Sequence, residues 1–156
     1  MIFSVSNQLQ NAEKITGSSF VELNIWERQH IEEWIRTNPE ILGEELLILS
    51  IEFDRFSKSS DRLDLLALDR RGNLVVVELR RDSAAAYADL QAIRYAAMIS
   101  SMTIEKLLPY YIIYRKKFYQ ETPSENDAKD QIFEFVESNS FAEFSSKPRI
   151  ILSSEG

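Results

Sequence analysis

Asp64, Glu78 and Arg80 have the side chains that metal and phosphate chemistry uses, and each stands inside an otherwise apolar run. The first run is Leu63-Asp64-Leu65-Leu66-Ala67-Leu68, closing on Asp69. The second is Leu74-Val75-Val76-Val77-Glu78-Leu79, closing on Arg80. Arg70-Arg71-Gly72-Asn73 separates them, and a Gly-Asn turn between two apolar runs predicts a β-hairpin over 62–69 and 74–80. Side chains alternate along a strand, so Glu78 and Arg80 share a face with Leu74 and Val76, while Val75, Val77 and Leu79 take the other. Pairing about the turn brings Asp64 across from the Glu78 and Arg80 region. Charges on an apolar strand face are costly to bury unless they are paired or hold a metal. Two carboxylates and a cation thus converge at one end of a sheet. That donor set suits Mg²⁺, which takes one or two carboxylates and keeps several waters.

The plain alternative is a set of salt bridges, Asp64 and Glu78 with Arg80 and Arg62, at a sheet edge. The segment after the hairpin bears on the choice. Gln91 and Tyr95 are four residues apart on a predicted helix and share one of its faces. Alone, they read as a semi-buried amide and aromatic.

Taken together, Asp64, Glu78-Leu79-Arg80 and Gln91-Ala92-Ile93-Arg94-Tyr95 resemble the active-site pattern of the PD-(D/E)XK nuclease superfamily, and within it NucS-like and RecB-like nuclease domains. The resemblance covers roughly Trp26 to Leu152. It implies a restriction-endonuclease-like three-layer α/β core, a mixed β-sheet flanked by helices. It implies metal-dependent hydrolysis of DNA phosphodiester bonds, with Asp64 and Glu78 holding Mg²⁺ or Mn²⁺, and Arg80, Gln91 and Tyr95 completing the catalytic set. The Leu79 carbonyl is a further expected ligand, and Glu33, Glu44 and Glu45 are candidates for a third acid. DNA is the implied partner, with room for a homodimer. Arg80 departs from the pattern, which has lysine there. Arginine stays protonated and holds a phosphate or a developing anion, but it does not act as a base. The alternative function is therefore a catalytically weak or inactive nuclease-fold module that binds nucleic acid or protein.

Composition narrows the chemistry further. The chain has 156 residues, enough for one domain with a sizeable core. It has no cysteine, which excludes disulfides and thiolate metal sites, and its single histidine, His30, excludes multi-histidine zinc sites. No apolar run approaches a membrane span and the N-terminus lacks a signal pattern, so a soluble cytoplasmic protein with no membrane partner is expected. The formal net charge of −7 is unusual for a nucleic-acid binder. Locally, Arg62, Arg70, Arg71, Arg80, Arg81 and Arg94 gather around the hairpin, and Arg115-Lys116-Lys117 form a basic run.

The elements that must position the acids follow from periodicity. Residues 1–25 read as an arm or added element, the first nineteen polar and irregular, and 26–156 as the nuclease-like domain. A helix is predicted over 26–37, with Trp26, Ile31, Trp34 and Ile35 on one face and Glu27, Arg28, Glu32 and Glu33 opposite. Asn38-Pro39 ends it. Leu46 to Leu49 begin a strand continuing toward Phe53 or Phe56, and Ser57 to Ser60 form a loop. Ser83 caps a long helix over about 84–101 that packs through Ala86, Leu90, Ile93 and Ala97. Thr103 caps another through Leu108, and Pro109 kinks it or starts a new segment to Phe118. Gln120 to Pro123 connect to a helix over about 125–138, capped by Ser124 with Asp127. A last strand, Arg149 to Leu152, is reached by a crossover. A chain stopping just after a strand suggests the front part of a longer protein. Trp26, Trp34 and the tyrosines at 110, 111 and 114 have the chemistry of base-stacking platforms. Core packing for the tryptophans and a solvated helix end for the tyrosine run are the simpler expectations, with His30 on a helix surface.

Overall fold

A computed structural model describes residues 2–5, 12–17, 30–53, 63–80 and 85–154. The expected irregular arm contains strands: β1 (Ile2–Val5) and β2 (Ala12–Ile15) pair antiparallel in a sheet of their own. Helix α1 (Glu32–Thr37) follows, and Asn38 and Pro39 end it, with Pro39–Leu42 forming a 3-10 turn. The main sheet has four strands in the order β3 (Leu46–Phe53), β4 (Leu63–Asp69), β5 (Leu74–Arg80) and β6 (Arg149–Ser154). The first three run antiparallel and β6 joins parallel to β5. Between β5 and β6 lie α2 (Ala85–Ile99), α3 (Ile104–Tyr119) and α4 (Glu125–Phe135). The architecture is thus α/β with a mixed sheet and helices, as the alternation of periods predicts.

Strands β4 and β5 are buried on both faces. Leu63, Leu65, Leu66, Ala67, Leu68 and the run Leu74 to Val77 are wholly shielded from solvent. This explains why both runs are continuous rather than alternating. The hairpin closes at Gly72, whose φ of +85° only glycine adopts at little cost, and whose missing side chain leaves room for the Phe141 ring. Strand β3 carries a register shift between Ile48 and Ser50 where it pairs with β4.

Helix α2 turns a different face to the core from the one its leucines and isoleucines suggest. Leu90 is 68% exposed and Ile93 57%, whereas Ala92, Tyr95 and Ile99 are buried. Both stripes have helical spacing. The tyrosine stripe wins because its large ring fills the core while its hydroxyl accepts a bond from Gln91. The Ala86 side chain lies outside what is described, and so do Ser83, Trp26, Glu27, Arg28, Phe56, the Ser57 to Ser60 loop, Arg62 and Arg81.

Helix α3 starts at Thr103, whose hydroxyl accepts the Lys106 N–H, and then runs unbroken through Pro109. A proline inside a helix costs about 3 kcal/mol. Burial of Leu107, Leu108, Tyr111 and Tyr114 along one face outweighs it, at about 1.5–3 kcal/mol for each large side chain. Those two tyrosines therefore belong to the core, where Tyr111 donates to Gln131, and the ring of Tyr110 packs on Phe53. Gln120 ends α3 in the left-handed region, and Ser124 with Asp127 forms the full capping box of α4, which stops three residues earlier than expected. On α1, Ile31 and Ile35 are buried but Trp34 is exposed. Arg36 is buried instead, its guanidinium over the Phe118 ring and its donors on both Glu33 oxygens. His30 is half-buried beside the start of α1.

Candidate acid site at the open end of the hairpin

The β4–β5 ladder runs from Leu68 opposite Leu74 to Leu65 opposite Val77. One step further, the same register sets Asp64 beside Glu78 on adjacent strands and on one face. Here the Leu79 N–H donates to Asp64 Oδ2 at 2.9 Å. A side-chain carboxylate thus takes a donor that belongs to the sheet backbone and ties β4 to the Glu78-Leu79 step. On the other flank, Glu78 lies level with Leu152 of β6, and Arg80 with Ser154. Glu78 is 4% exposed and Asp64 half-buried. Carboxylates set side by side on one strand face repel, and a divalent cation is one group that offsets such repulsion.

Arg80 occupies the last position of β5, two residues beyond Glu78, and its side chain is outside the described residues. Gln91 and Tyr95 are brought together: the Gln91 amide donates to the Tyr95 hydroxyl at 2.9 Å, and α2 packs against β5. The ring is buried and the amide half-exposed, so the tyrosine fixes the orientation of a group that solvent reaches.

The three candidates for a third acid are committed elsewhere. Glu33 is held by Arg36, which keeps its carboxyl below the usual range. Glu44 takes both Arg149 amino groups at 2.7 Å, and Glu45 takes Arg70 at 2.8 Å. Both precede Leu46, which pairs with Asp69 at the opposite end of β4 from Asp64, about 17 Å away along the strand. Among the described residues no three acidic, histidine or cysteine side chains cluster as a metal cage. Among the described residues the open end offers two carboxylates, Asp64 and Glu78, a set that suits an ion such as Mg²⁺ that keeps much of its water.

At the turn end the structure holds a second polar constellation that the sequence reading passed over. Asp69 is buried. It accepts from the backbone N–H groups of Arg71 and Asn73, the Asn73 amide and Arg149. Burial pushes its carboxyl up, but the bonds from Asn73, Arg149 and Arg71 outweigh this and hold it below the usual range. Glu44, Glu45, Asp69, Arg70, Asn73 and Arg149 line, with Arg71, an open cleft of about 400 Å³. The signal was an aspartate directly before Arg-Arg-Gly-Asn, the residue type that receives turn N–H groups. Its link to Arg149 spans 80 residues and has no local trace.

Comparison with protein-family models, with curated proteins and with solved structures finds no match.

Proposed function

We propose that the chain is a metal-dependent nuclease domain of the PD-(D/E)XK type that hydrolyses DNA phosphodiester bonds, with a restriction-endonuclease-like core. The observation carrying this reading is the β4–β5 register, which one step beyond Leu65 and Val77 sets Asp64 beside Glu78 on one face, with the Leu79 N–H donating to Asp64. The strand order, three antiparallel strands and then a parallel one beyond a helical crossover, supports it. Asp64 and Glu78 hold Mg²⁺ or Mn²⁺. When bound, such an ion would supply charge neutralisation at the phosphate and a more nucleophilic water. Arg80 binds a phosphate oxygen and steadies charge that develops there, without taking a proton. Gln91, oriented by Tyr95, positions the water or the phosphate.

Arginine at 80 favours a second reading, a nuclease-fold module that binds DNA and cleaves it weakly or not at all. A cleavage panel decides, run with Mg²⁺ and Mn²⁺ over single-stranded, duplex, branched and mismatched DNA. Wild type is set beside Asp64→Asn and Glu78→Gln. Metal-dependent cleavage that either substitution abolishes is the expected result. Cleavage equal in all three proteins would place the site elsewhere. Binding without cleavage on every DNA form would select the module.

A further inference from the structure

We infer that β6 is a self-association edge through which two copies of this chain join their sheets about a twofold axis. Strand β6 has β5 on one side and no strand on the other among the described residues. Its outer row of backbone N–H and C=O groups is a template for another strand. Edges are ordinarily blunted by charge, proline or a bulge. The other edge, β3, has its register shift between Ile48 and Ser50. Strand β6 pairs with β5 in unbroken register from Arg149 to Ser154, and no proline falls within it. Its one charged side chain, Arg149, is turned back onto Glu44 and Asp69. Beyond it, Ile150 is 37% exposed and Leu152 44%, both on the sheet face that carries Glu78.

The occupant that fits is a second copy, because the edge is self-complementary. With Ile151 opposite Ile151 of the second copy, antiparallel pairing sets Ile150 against the other Leu152 and Leu152 against the other Ile150. Four exposed apolar side chains then cover one another on one face, and the contact closes as a dimer. From Ile150 to Ser154 there is no charge, so a chain of net charge −7 brings no like charges together along this strand. The helices leave room. Helix α2 packs against β5 as well as β6, so it is set back from the open edge. In the joined sheet the two Glu78 residues share one continuous face, on the order of 16 Å apart. The association does not depend on the nuclease reading, since its test needs neither metal nor DNA.

Sedimentation velocity over a concentration series tests it, with wild type beside Ile150→Glu, Leu152→Lys and Ile113→Glu. Ile113 is also exposed and apolar but belongs to α3. Wild type is expected to dimerise. Both β6 variants should raise the dimer dissociation constant at least about tenfold, and Ile113→Glu should leave it unchanged. Two independent β6 substitutions guard against one that fails to fold, which far-UV circular dichroism reports. Amide hydrogen exchange should show β6 more protected in wild type than in either β6 variant. A wild type that stays monomeric throughout, or a dimer indifferent to both β6 substitutions, would overturn the inference.

Discussion

The two ends of the β4–β5 hairpin carry the same kind of side chain to different uses. At the turn, Asp69 receives four donors, drawn from the turn backbone, from Asn73 and from Arg149 of β6, and Glu44 grips the same arginine. The charge there is answered from within the protein, and the result fastens β6 and the segment before β3 to the turn. At the open end, Asp64 accepts from the Leu79 N–H, and the register of the ladder sets it beside Glu78. A strand carboxylate is structural where turn donors and a cation converge on it. It is a ligand candidate where the strand register sets it beside a second carboxylate.

Stability should separate the ends most sharply. Asp69→Ala leaves the Arg71 and Asn73 N–H groups and the Asn73 amide without their acceptor, while Arg149 keeps Glu44, and should cost about 2–3 kcal/mol, the scale for buried donors left unpaired. Asp64→Asn, which keeps an acceptor for the Leu79 N–H, should cost less than about 1.5 kcal/mol. Urea unfolding of both variants measures the gap, and equal losses would dissolve the contrast.

Activity should run the other way. Arg80→Ala should lose about 2–4 kcal/mol of transition-state stabilisation, and Arg80→Lys should retain or raise cleavage. Single-turnover rates at excess protein read this directly. Wild-type cleavage that survives unchanged in Arg80→Ala would remove Arg80 from the chemistry. A companion measurement is thermal stability with metal. Mg²⁺ or Mn²⁺ should raise it in wild type by mass action and not in the Asp64→Asn, Glu78→Gln double variant.

Acid should loosen the turn end. In the folded chain, Arg149 holds the Glu44 carboxyl below its ordinary value, and the bonds around Asp69 do the same for it against burial. A depressed folded pKa gives stability that is full above the unfolded carboxylate values, about pH 4, and is lost as pH falls through the folded ones. Arg149→Met should therefore be less stable than wild type at neutral pH, with the gap narrowing below about pH 4. Urea midpoints across that range test it, and a gap that stays constant would uncouple Arg149 from both acids.

The smallest effect falls on the rim of the same end. Arg70 meets Glu45 in solvent, so Glu45→Ala should change stability by less than about 1 kcal/mol. A loss as large as that of Asp69→Ala would mean that the rim shares the load of the buried carboxylate.

Local features were legible without the fold. The hairpin, its glycine, the Ser124 and Asp127 capping box and the shared face of Gln91 and Tyr95 all rest on residues at most about fifteen apart. The choice of face on α2 was not legible, since Leu90, Ile93 and Ala97 show the same spacing as Ala92, Tyr95 and Ile99. Nor was the continuity of α3 through Pro109, because what the proline costs is local while the burial that offsets it comes from the sheet and α4.

Sequence alone determined that two acids fall in apolar runs about a turn, and hence that they share a face, because strand alternation and register are counted from the turn outward. Tertiary structure decided which other acids stand apart from them. Glu44 reaches Arg149 across 105 residues, and Glu45 reaches Arg70 across 25. Such pairings depend on where β6 enters the sheet, and no local period or propensity encodes that.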